Sequence, residues 1–240
     1  MLYKIPTLSQ LNTLLSQVLP GLGKIKRFVL AHLHSVQVKK KSYAQMNEDL
    51  IARKILNTKF GKKNIFYVDI GANHPTRISN TYLFYRDGSY GLTIEPNSEL
   101  IRLHRNIRPR DTQLQVGCYS KNTIKRFFYS KTPVLSSFKK GVVKNLHKQA
   151  FLPVFTLDSI CKLLSIKSVD FLSIDAEGLD LDVLIGSKNI LKKTYLICIE
   201  ANFIHERIKI INFLEKQKFS LKYESNGNLF FTNKNKFTSI

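Results

Sequence analysis

The stretch Phe66-Tyr-Val-Asp-Ile-Gly-Ala-Asn73 decides the fold of this chain. Its apolar run predicts a buried strand that ends at Asp69 and passes into a turn containing Gly71. A glycine in such a turn lets a ligand approach the backbone closely. A second apolar run, Tyr90–Ile94, ends at Glu95, and a carboxylate at that strand tip suits the two hydroxyls of a ribose. We therefore predict an adenosine-cofactor site at the carboxyl edge of a parallel sheet.

The glycine pattern separates one class of adenosine cofactor from another. The phosphate-binding signature Gly-x-Gly-x-x-Gly needs three glycines, and only Gly71 is present here. The pattern therefore favours S-adenosylmethionine, which carries no phosphate, over NAD or ATP.

Length and composition allow one α/β domain with an appendage, or two small domains. The chain has 240 residues, and its hydrophobic fraction of 43% is ample for a buried core. Cys118, Cys161 and Cys198 lack the spacing of a disulfide framework or a zinc site. We therefore expect buried thiols in a reduced, cytosolic interior.

Charge is distributed unevenly along the chain. The net charge is +21, and no acidic residue occurs between Asp111 and Asp158. A surface of this kind attracts nucleic acid, anionic lipid headgroups, acidic glycans or nucleotide sugars, with compositional drift as the alternative explanation. The cations of this acid-free segment (residues 112–157) are Lys121, Lys125, Arg126, Lys131, Lys139, Lys140, Lys144 and Lys148.

Residues 1–41 are predicted to form a basic amphipathic helical extension in front of a main domain at residues 42–240. Apolar residues recur every three or four positions from Leu8 to Val29, and Pro20-Gly21 divides this stripe into two short helices. No apolar run here is long enough to span a bilayer, and the start lacks the pattern of a cleavable signal peptide. Two interpretations stay open: the stripe packs on the main domain or a partner, or it lies in a membrane interface.

From residue 46 onward, predicted helices and strands alternate, which predicts a mostly parallel sheet with helices on both faces. Leu114–Cys118 is predicted as one strand, and Lys125–Tyr129 as an extra strand or hairpin arm. Thr156 is predicted to cap a helix. The dipeptide Asn226-Gly227 predicts a closing antiparallel hairpin.

Four predicted strands end in an acidic residue. Because parallel strands place their carboxyl ends along one edge, these acids should meet where ligands bind. A carboxylate at such a position is unfavourable unless it is solvated, paired or functional. The four residues are Asp69, Glu95, Asp175 and Glu200.

A series of motifs resembles those of FkbM-type methyltransferases in order and spacing. Ser42-Tyr-Ala-Gln-Met-Asn-Glu-Asp49 resembles the first family motif, Ser-Tyr-x-Gln-x-Gly-Glu-Asp, but Asn47 stands where the family usually has glycine. The other matches are Val68–Pro75, Ser79–Tyr82, Ile94–Asn97, Thr156–Asp158, Val169–Gly178 and Val183–Gly186. The resemblance covers roughly residues 42–200 and leaves out the N-terminal extension.

The resemblance implies the class I methyltransferase fold, a Rossmann-like seven-stranded sheet with a C-terminal antiparallel hairpin. It also implies S-adenosylmethionine-dependent methyl transfer, usually to a hydroxyl on a sugar, glycan or natural product. The implied cofactor residues are Asp69, Gly71, Ala72 and Asn73 for the methionine end, Glu95 for the ribose, and Pro96, Asn97, Gly117 and Cys118 for the adenine. Gln45 and Asn80 are expected as lid and wall residues, and Asp175 close to the methyl group.

Methyl transfer to a hydroxyl requires in-line alignment and removal of a proton. Asp175 and Glu177 share the Ile-Asp-Ala-Glu-Gly turn, and we hypothesise that one accepts the proton while the other orients the cofactor or the base. Alternatively, Asp175 binds only the cofactor's ammonium group and Glu177 caps the next helix. His74 and His205 are competing bases. A divalent metal held by Asp175 and Glu200 is conceivable but not favoured.

Three functions stay open from the sequence. The first is O-methylation of a saccharide, glycolipid or related metabolite, with an acceptor that could be anionic. The second is methylation of RNA at a ribose, which fits the charge but comes without a recognisable RNA-binding module. The third is a membrane-surface or complex-forming protein that keeps the fold without catalysis. We expect a cytoplasmic location, with contact between residues 1–41 and the inner face of a membrane as an alternative.

Overall fold

The computed structural model describes residues 42–61 and 63–236. The predicted helical extension at residues 1–41 lies outside these described residues. Within them, no helix combines the length and the apolar character that crossing a bilayer requires.

Helices and strands alternate along the described part of the chain. The strands are β1 (Phe66–Ile70), β2 (Tyr90–Ile94), β3 (Thr112–Leu114), β4 (Gly117–Cys118), β5 (Thr123–Ser130), β6 (Leu146–Phe155), β7 (Val169–Ile174), β8 (Thr194–Glu200), β9 (Phe219–Ser225) and β10 (Asn228–Asn233). The helices are α1 (Glu48–Phe60), α2 (Tyr82–Arg86), α3 (Ser98–Ile107), α4 (Leu157–Leu163), α5 (Asp180–Ile185), α6 (Lys188–Leu191) and α7 (Ile204–Lys216). Short 3₁₀ turns lie at Pro133–Leu135, Lys140–Val142 and Lys234–Lys236.

The main sheet has seven strands in the order β3-β2-β1-β7-β8-β10-β9. Neighbouring strands from β3 to β8 are parallel, whereas β10 runs antiparallel to both β8 and β9. This topology confirms the predicted mostly parallel sheet with a C-terminal antiparallel hairpin. From β1 the chain continues to β2 and β3 at one edge of the sheet, whereas from β7 it continues to β8 and the hairpin at the other edge. The gap above β1 and β7 is therefore the switch point at which open α/β sheets bind ligands.

The central strands are buried on both faces, as their nearly continuous apolar sequences predict. On one face, Val68 and Leu172 belong to a core that α4, α5 and α7 also enter. On the other face, Tyr67 and Phe171 pack in a separate core with Leu56 of α1. Helices thus cover both faces, and the ends of the strands at the switch point are held rigidly.

A second, three-stranded sheet has the order β4-β6-β5. The prediction of a single strand at Leu114–Cys118 is wrong, because β3 ends the main sheet at Leu114 and β4 starts the second sheet at Gly117. The reason is pairing: Gly117 and Cys118 pair with Val154 and Phe155 of β6, and a Cβ atom on Gly117 would lie 2.5 Å from the ring of Phe138 and 2.8 Å from Val154. The predicted arm at Lys125–Tyr129 is confirmed as part of β5, which pairs antiparallel with β6.

Three local predictions concern turns and caps. The hydroxyl of Thr156 accepts a hydrogen bond from the N–H of Ser159 at 3.1 Å, which confirms the helix cap. Asn226 and Gly227 connect β9 and β10 with positive φ angles of 47° and 84°, the conformation that a tight hairpin requires. Asn47 precedes α1 with a φ of 69°. Asparagine tolerates this left-handed conformation better than most residues, so the turn geometry does not depend on glycine.

Candidate functional site

A cavity lies at the carboxyl ends of β1, β2 and β7, at the switch point of the main sheet. The loops after these three strands supply most of its polar lining, and β4 supplies an apolar wall. The lining includes Gly71, Asn73, Glu95, Pro96, Gly117, Cys118, Asp175, Ala176 and Glu177.

Gly71 allows the ends of β1 and β7 to touch. Its φ is +73°, and a Cβ atom at this position would overlap the carbonyl oxygen of Asp175. Its N–H donates to the carbonyl of Ile94 at 3.0 Å and so connects the turn to β2. The small size of Gly71 and its hydrogen bond to Ile94 therefore allow the ends of β1, β2 and β7 to meet around the cavity.

Glu95 organises the turn that follows β1. Its carboxylate oxygens accept hydrogen bonds from the N–H groups of Asn73 at 3.0 Å and Asn97 at 2.7 Å. Burial raises the pKa of Glu95 to about 7, and the nearby carboxyl of Asp69 contributes to the rise. Because each carboxylate oxygen has a second lone pair, Glu95 can still accept hydrogen bonds from a ligand.

His104 fixes the same turn from α3 and was not predicted from the sequence. Its Nε2 lies 2.9 Å from the carbonyl oxygen of Asn73, which has a φ of 49°. Burial and the charge of Arg108 lower the pKa of His104 to about 3, so the ring is neutral and donates from Nε2. The only sequence signal was its place beside Leu100 and Ile101 on the buried face of α3.

Asp69 lies behind the cavity and is held by a chain of polar groups. The hydroxyl of Thr81 donates to Asp69 Oδ2 at 2.5 Å and accepts from Arg108 Nη2 at 2.9 Å. Arg108 in turn forms a fully buried ion pair with Asp111, with Nε 2.7 Å from Oδ2. Burial raises the pKa of Asp69, while the charge of Arg108 opposes the rise. This chain anchors the end of β1.

The turn at residues 175–178 carries backbone strain. Glu177 has a φ of 47°, a left-handed conformation that is uncommon for a non-glycine residue other than Asn or Asp. Asp180 holds the turn, because its two carboxylate oxygens accept from the N–H groups of Ala176 at 2.9 Å and Gly178 at 3.1 Å. Asp180 is a second residue that sequence reasoning missed.

Carboxyl groups around this turn repel one another. Burial raises the pKa of Asp175 well above its usual range, and the charges of Glu200, Asp180 and Glu177 raise it further. The pKa of Glu177 is raised to about 7, mainly by burial and next by the charge of Glu200. The pKa of Asp180 is also raised to about 7, mainly by burial. A positively charged ligand would relieve this repulsion, so the site favours cations.

The strap (residues 131–145) connects β5 to β6 and covers the cavity. Its residues Ser137 and Phe138 line the cavity, and the Ser137 hydroxyl donates to the carbonyl oxygen of Glu177 at 2.9 Å. The ammonium of Lys139 lies 3.4 Å from the carboxylate of Glu206 on α7. The cavity below the strap has a volume of about 50 Å³.

A sequence profile described as the methyltransferase FkbM domain matches residues 69–224. The chain belongs to the FkbM methyltransferase family. This result confirms the resemblance seen in the motifs and places the protein among S-adenosylmethionine-dependent methyltransferases. The matched FkbM domain runs from Asp69 in β1 to Glu224 in β9, so it includes the whole polar lining of the cavity.

Solved structures of methyltransferases are similar to this chain at low sequence identity. Methyltransferase FkbM from Methylobacillus flagellatus KT is 13% identical, with a TM-score of 0.49 over 88% of this chain and 60% of that one. The METTL16 MTase domain is 12% identical, with a TM-score of 0.50 over 78% of this chain and 66% of that one. Magnesium protoporphyrin IX methyltransferase (ChlM) from Synechocystis PCC 6803, solved with bound SAM, is 7% identical, with a TM-score of 0.44 over 97% and 100% of the two chains. This chain thus spans less than two thirds of the M. flagellatus protein, and a comparison with curated proteins gives no match.

The lining of the FkbM domain fits S-adenosylmethionine. Asn73 Oδ1 and Asp175 Oδ1 are buried without a hydrogen-bond partner in the part of the chain that the structure describes. Buried oxygens without a donor are unfavourable, and the ammonium group of the cofactor would supply donors. Glu95 would accept from the ribose hydroxyls, and Pro96 beside β4 would provide the apolar wall for the adenine.

The predicted site residues fall into two groups. Those that line the cavity are Gly71, Asn73, Glu95, Pro96, Gly117, Cys118, Asp175 and Glu177. Those outside the lining are Asp69 and Ala72, both buried, Asn80, which donates to Ser173 Oγ at 3.1 Å, Asn97, which caps α3, and Gln45, which is exposed.

Neither predicted histidine base belongs to the lining. His74 is half-buried, its Nε2 lies 3.3 Å from Arg77, and burial lowers its pKa to about 4. His205 is exposed near the start of α7, with Nε2 4.0 Å from the carboxylate of Glu206. Glu177 is therefore better placed than either histidine to accept a proton in the cavity.

A metal site would need several ligands arranged around one point. Among the described residues, no group of three or more His, Cys, Asp or Glu side chains is arranged in this way. The charge of Glu200 raises the pKa of Asp175, but this does not test a metal between them, which the sequence did not favour.

Thr81→Val should weaken both the fold and donor binding. Valine keeps the shape of threonine but removes the hydroxyl between Asp69 and Arg108, and an unsatisfied buried group costs about 1–3 kcal/mol. Urea unfolding and calorimetry with S-adenosylmethionine measure the two effects. Thr93→Val is the matched control, because the buried Thr93 hydroxyl has no hydrogen-bond partner among the described residues. Equal losses in both variants would contradict the role of Thr81.

Affinity for S-adenosylmethionine should rise as the pH increases from about 6 to 8. Glu95, Glu177 and Asp180 each have a raised pKa of about 7, and only their ionised forms attract a cation. Binding should therefore release protons. Calorimetry in two buffers with different ionisation enthalpies measures that release, and an affinity that is flat over this range would contradict the electrostatic account.

The same pKa shift makes a prediction for the unliganded protein. The pKa of Glu95 is raised from 4.5 to about 7, so its protonated form stabilises the fold most at low pH. The free energy of unfolding of the wild type, relative to Glu95→Gln, should fall as the pH rises from about 4.5 to 7. Urea unfolding of both proteins across this window checks the sign.

Proposed function

We propose that this protein transfers a methyl group from S-adenosylmethionine to a hydroxyl of a saccharide, glycolipid or related metabolite. The observation that carries the proposal is Glu177, a carboxyl group with a raised pKa of about 7 on a strained turn in the wall of the donor cavity. A base whose pKa lies near the working pH is effective at removing a hydroxyl proton.

The residues around the cavity have distinct roles in this proposal. S-adenosylmethionine supplies an activated methyl group, so the protein contributes alignment and proton removal. Asp175 and Asn73 would hold the positively charged end of the donor. Glu177 accepts the proton of the acceptor hydroxyl while the oxygen–methyl bond forms, and Asp180 keeps Glu177 in place through the turn.

Cations on the strap support an acceptor that carries negative charge. The strap contains Lys131, Lys139, Lys140 and Lys144 and no acidic residue. A phosphorylated or nucleotide-linked sugar would be attracted to this surface and held against the cavity.

Two measurements test the proposal. Calorimetry with S-adenosylmethionine tests the donor, and the absence of binding would favour the non-catalytic alternative. Transfer of an isotope-labelled methyl group to free, phosphorylated and lipid-linked sugars tests the acceptor, with NMR of the product to identify the methylated atom. RNA is included in the panel, and label found only on RNA ribose would replace the saccharide proposal.

A further inference from the structure

The outer face of the β5–β6 ribbon exposes large apolar side chains. The antiparallel register places Ile124 opposite Pro153 and Arg126 opposite Phe151, and opposed residues project from the same side of a sheet. We define the outer face as Ile124, Arg126, Phe151, Pro153 and Phe155. Ile124 and Phe151 are each 67% exposed. Contiguous apolar exposure of this kind marks an interaction site.

This outer face points away from the donor cavity. Phe127, which lines the cavity, follows Arg126 along β5, and successive residues of a strand project to opposite sides. A partner on the outer face therefore leaves the cavity side of the ribbon free. The role of the outer face is thus separate from the methyl-transfer site.

The outer face carries one cation, and the segment to which it belongs is basic. The guanidinium carbon of Arg126 lies 5.1 Å from the centre of the Phe151 ring. The ribbon belongs to the acid-free segment, which carries eight cations and no acidic residue. Within the described part of the chain, Lys139 is the only one of these eight that forms an ion pair. The outer face therefore combines exposed apolar side chains with the charge of Arg126, in a segment whose net charge is positive.

We propose that the outer face docks on an anionic lipid bilayer. The interfacial zone of a bilayer accommodates apolar side chains such as Ile124 and Phe151, and its negatively charged headgroups attract Arg126 and the net positive charge of the acid-free segment. The aliphatic side chains of Ile124 and Pro153 favour lipid over single-stranded nucleic acid, because only Phe151 and Phe155 offer rings on which bases can stack, and RNA binding is a separate outcome of the test. This inference does not depend on the proposed acceptor.

Vesicle flotation of the full chain tests the docking. We expect binding to phosphatidylcholine vesicles that contain phosphatidylglycerol, weaker binding at high salt, and little binding to pure phosphatidylcholine. Ile124→Ser/Phe151→Ser should lower the partition coefficient at least about tenfold, because two apolar groups leave the interface. Arg126→Glu, which keeps the apolar residues, should also weaken binding. Calorimetry with S-adenosylmethionine confirms that each variant is folded.

A matched control removes apolar surface elsewhere. Ile204→Ser/Ile208→Ser deletes two exposed side chains on α7, which are 77% and 53% exposed, and should leave flotation unchanged. The proposal is overturned if the wild type ignores anionic vesicles, or if the outer-face double variant floats like the wild type. A different function of the outer face would be shown by a wild type that does not float but self-associates or binds RNA, when the outer-face double variant loses that property. This result would also overturn the proposal.

Discussion

Glu177→Gln should lower kcat about 10²–10⁴-fold, the usual contribution of a general base, with little change in the dissociation constant of S-adenosylmethionine. Glutamine has nearly the same size, and the N–H groups of Ala176 and Gly178 still bind Asp180, so the turn keeps its shape. Single-turnover methyl transfer and calorimetry separate the two quantities. The wild-type rate should increase as the pH rises through about 7, and this increase should disappear in the variant.

Asp175→Asn is the comparison that distinguishes the two carboxyl groups. Asp175 Oδ1 has no partner among the described residues, so its replacement should mainly weaken donor binding. If Glu177→Gln instead turns over like the wild type, Glu177 is not the base. Asp175, His74 and His205 would then be tested in turn.

Gly71→Ala should abolish measurable donor binding and destabilise the fold by about 3 kcal/mol or more. The new methyl group would overlap the carbonyl oxygen of Asp175, and alanine also resists a φ of +73°. Overpacking and backbone strain each cost about 1–3 kcal/mol. Relief of the overlap requires β1 and β7 to separate at the switch point. Thermal unfolding and calorimetry measure both effects.

Gly61→Ala separates backbone strain from steric overlap. Gly61 has a similar φ of +64°, but a Cβ atom there would have no neighbour within 4 Å among the residues that the structure describes. This control should lose about 1 kcal/mol of stability and keep its donor affinity. Normal donor binding by Gly71→Ala would mean that the cavity is not the donor site.

Much of the fold could be predicted because its signals are local in sequence. Apolar runs that end at Asp69, Glu95 and Asp175 mark parallel strands whose tips meet, and Asn226-Gly227 marks the closing hairpin. The break between β3 and β4 was missed because no residue between Leu114 and Cys118 interrupts the strand pattern strongly. The break reflects the pairing of Gly117 with Val154 of β6, a residue that is distant in sequence.

The support of the site was harder to predict than its lining. Arg108 and Asp111 stand among polar and proline residues that suggest an exposed loop, yet they form a fully buried ion pair behind Asp69. Likewise, a single histidine in α3 carries no signal that it will contact the carbonyl of Asn73. Contacts of this kind form when tertiary packing brings residues from separate segments together. They leave no motif in the local sequence from which they could be predicted.

The contact between Ser137 and the backbone of Glu177 has a consequence for the order of events in a turnover. Ser137 and Phe138 line the donor cavity, so we expect the exchange of spent for fresh donor to break this hydrogen bond, and its loss would free the Glu177 carbonyl on the turn that carries the base. Proton abstraction and ligand exchange would then occur at separate stages of a turnover. When acceptor is abundant, we therefore expect opening of the strap, rather than methyl transfer, to limit the rate of turnover.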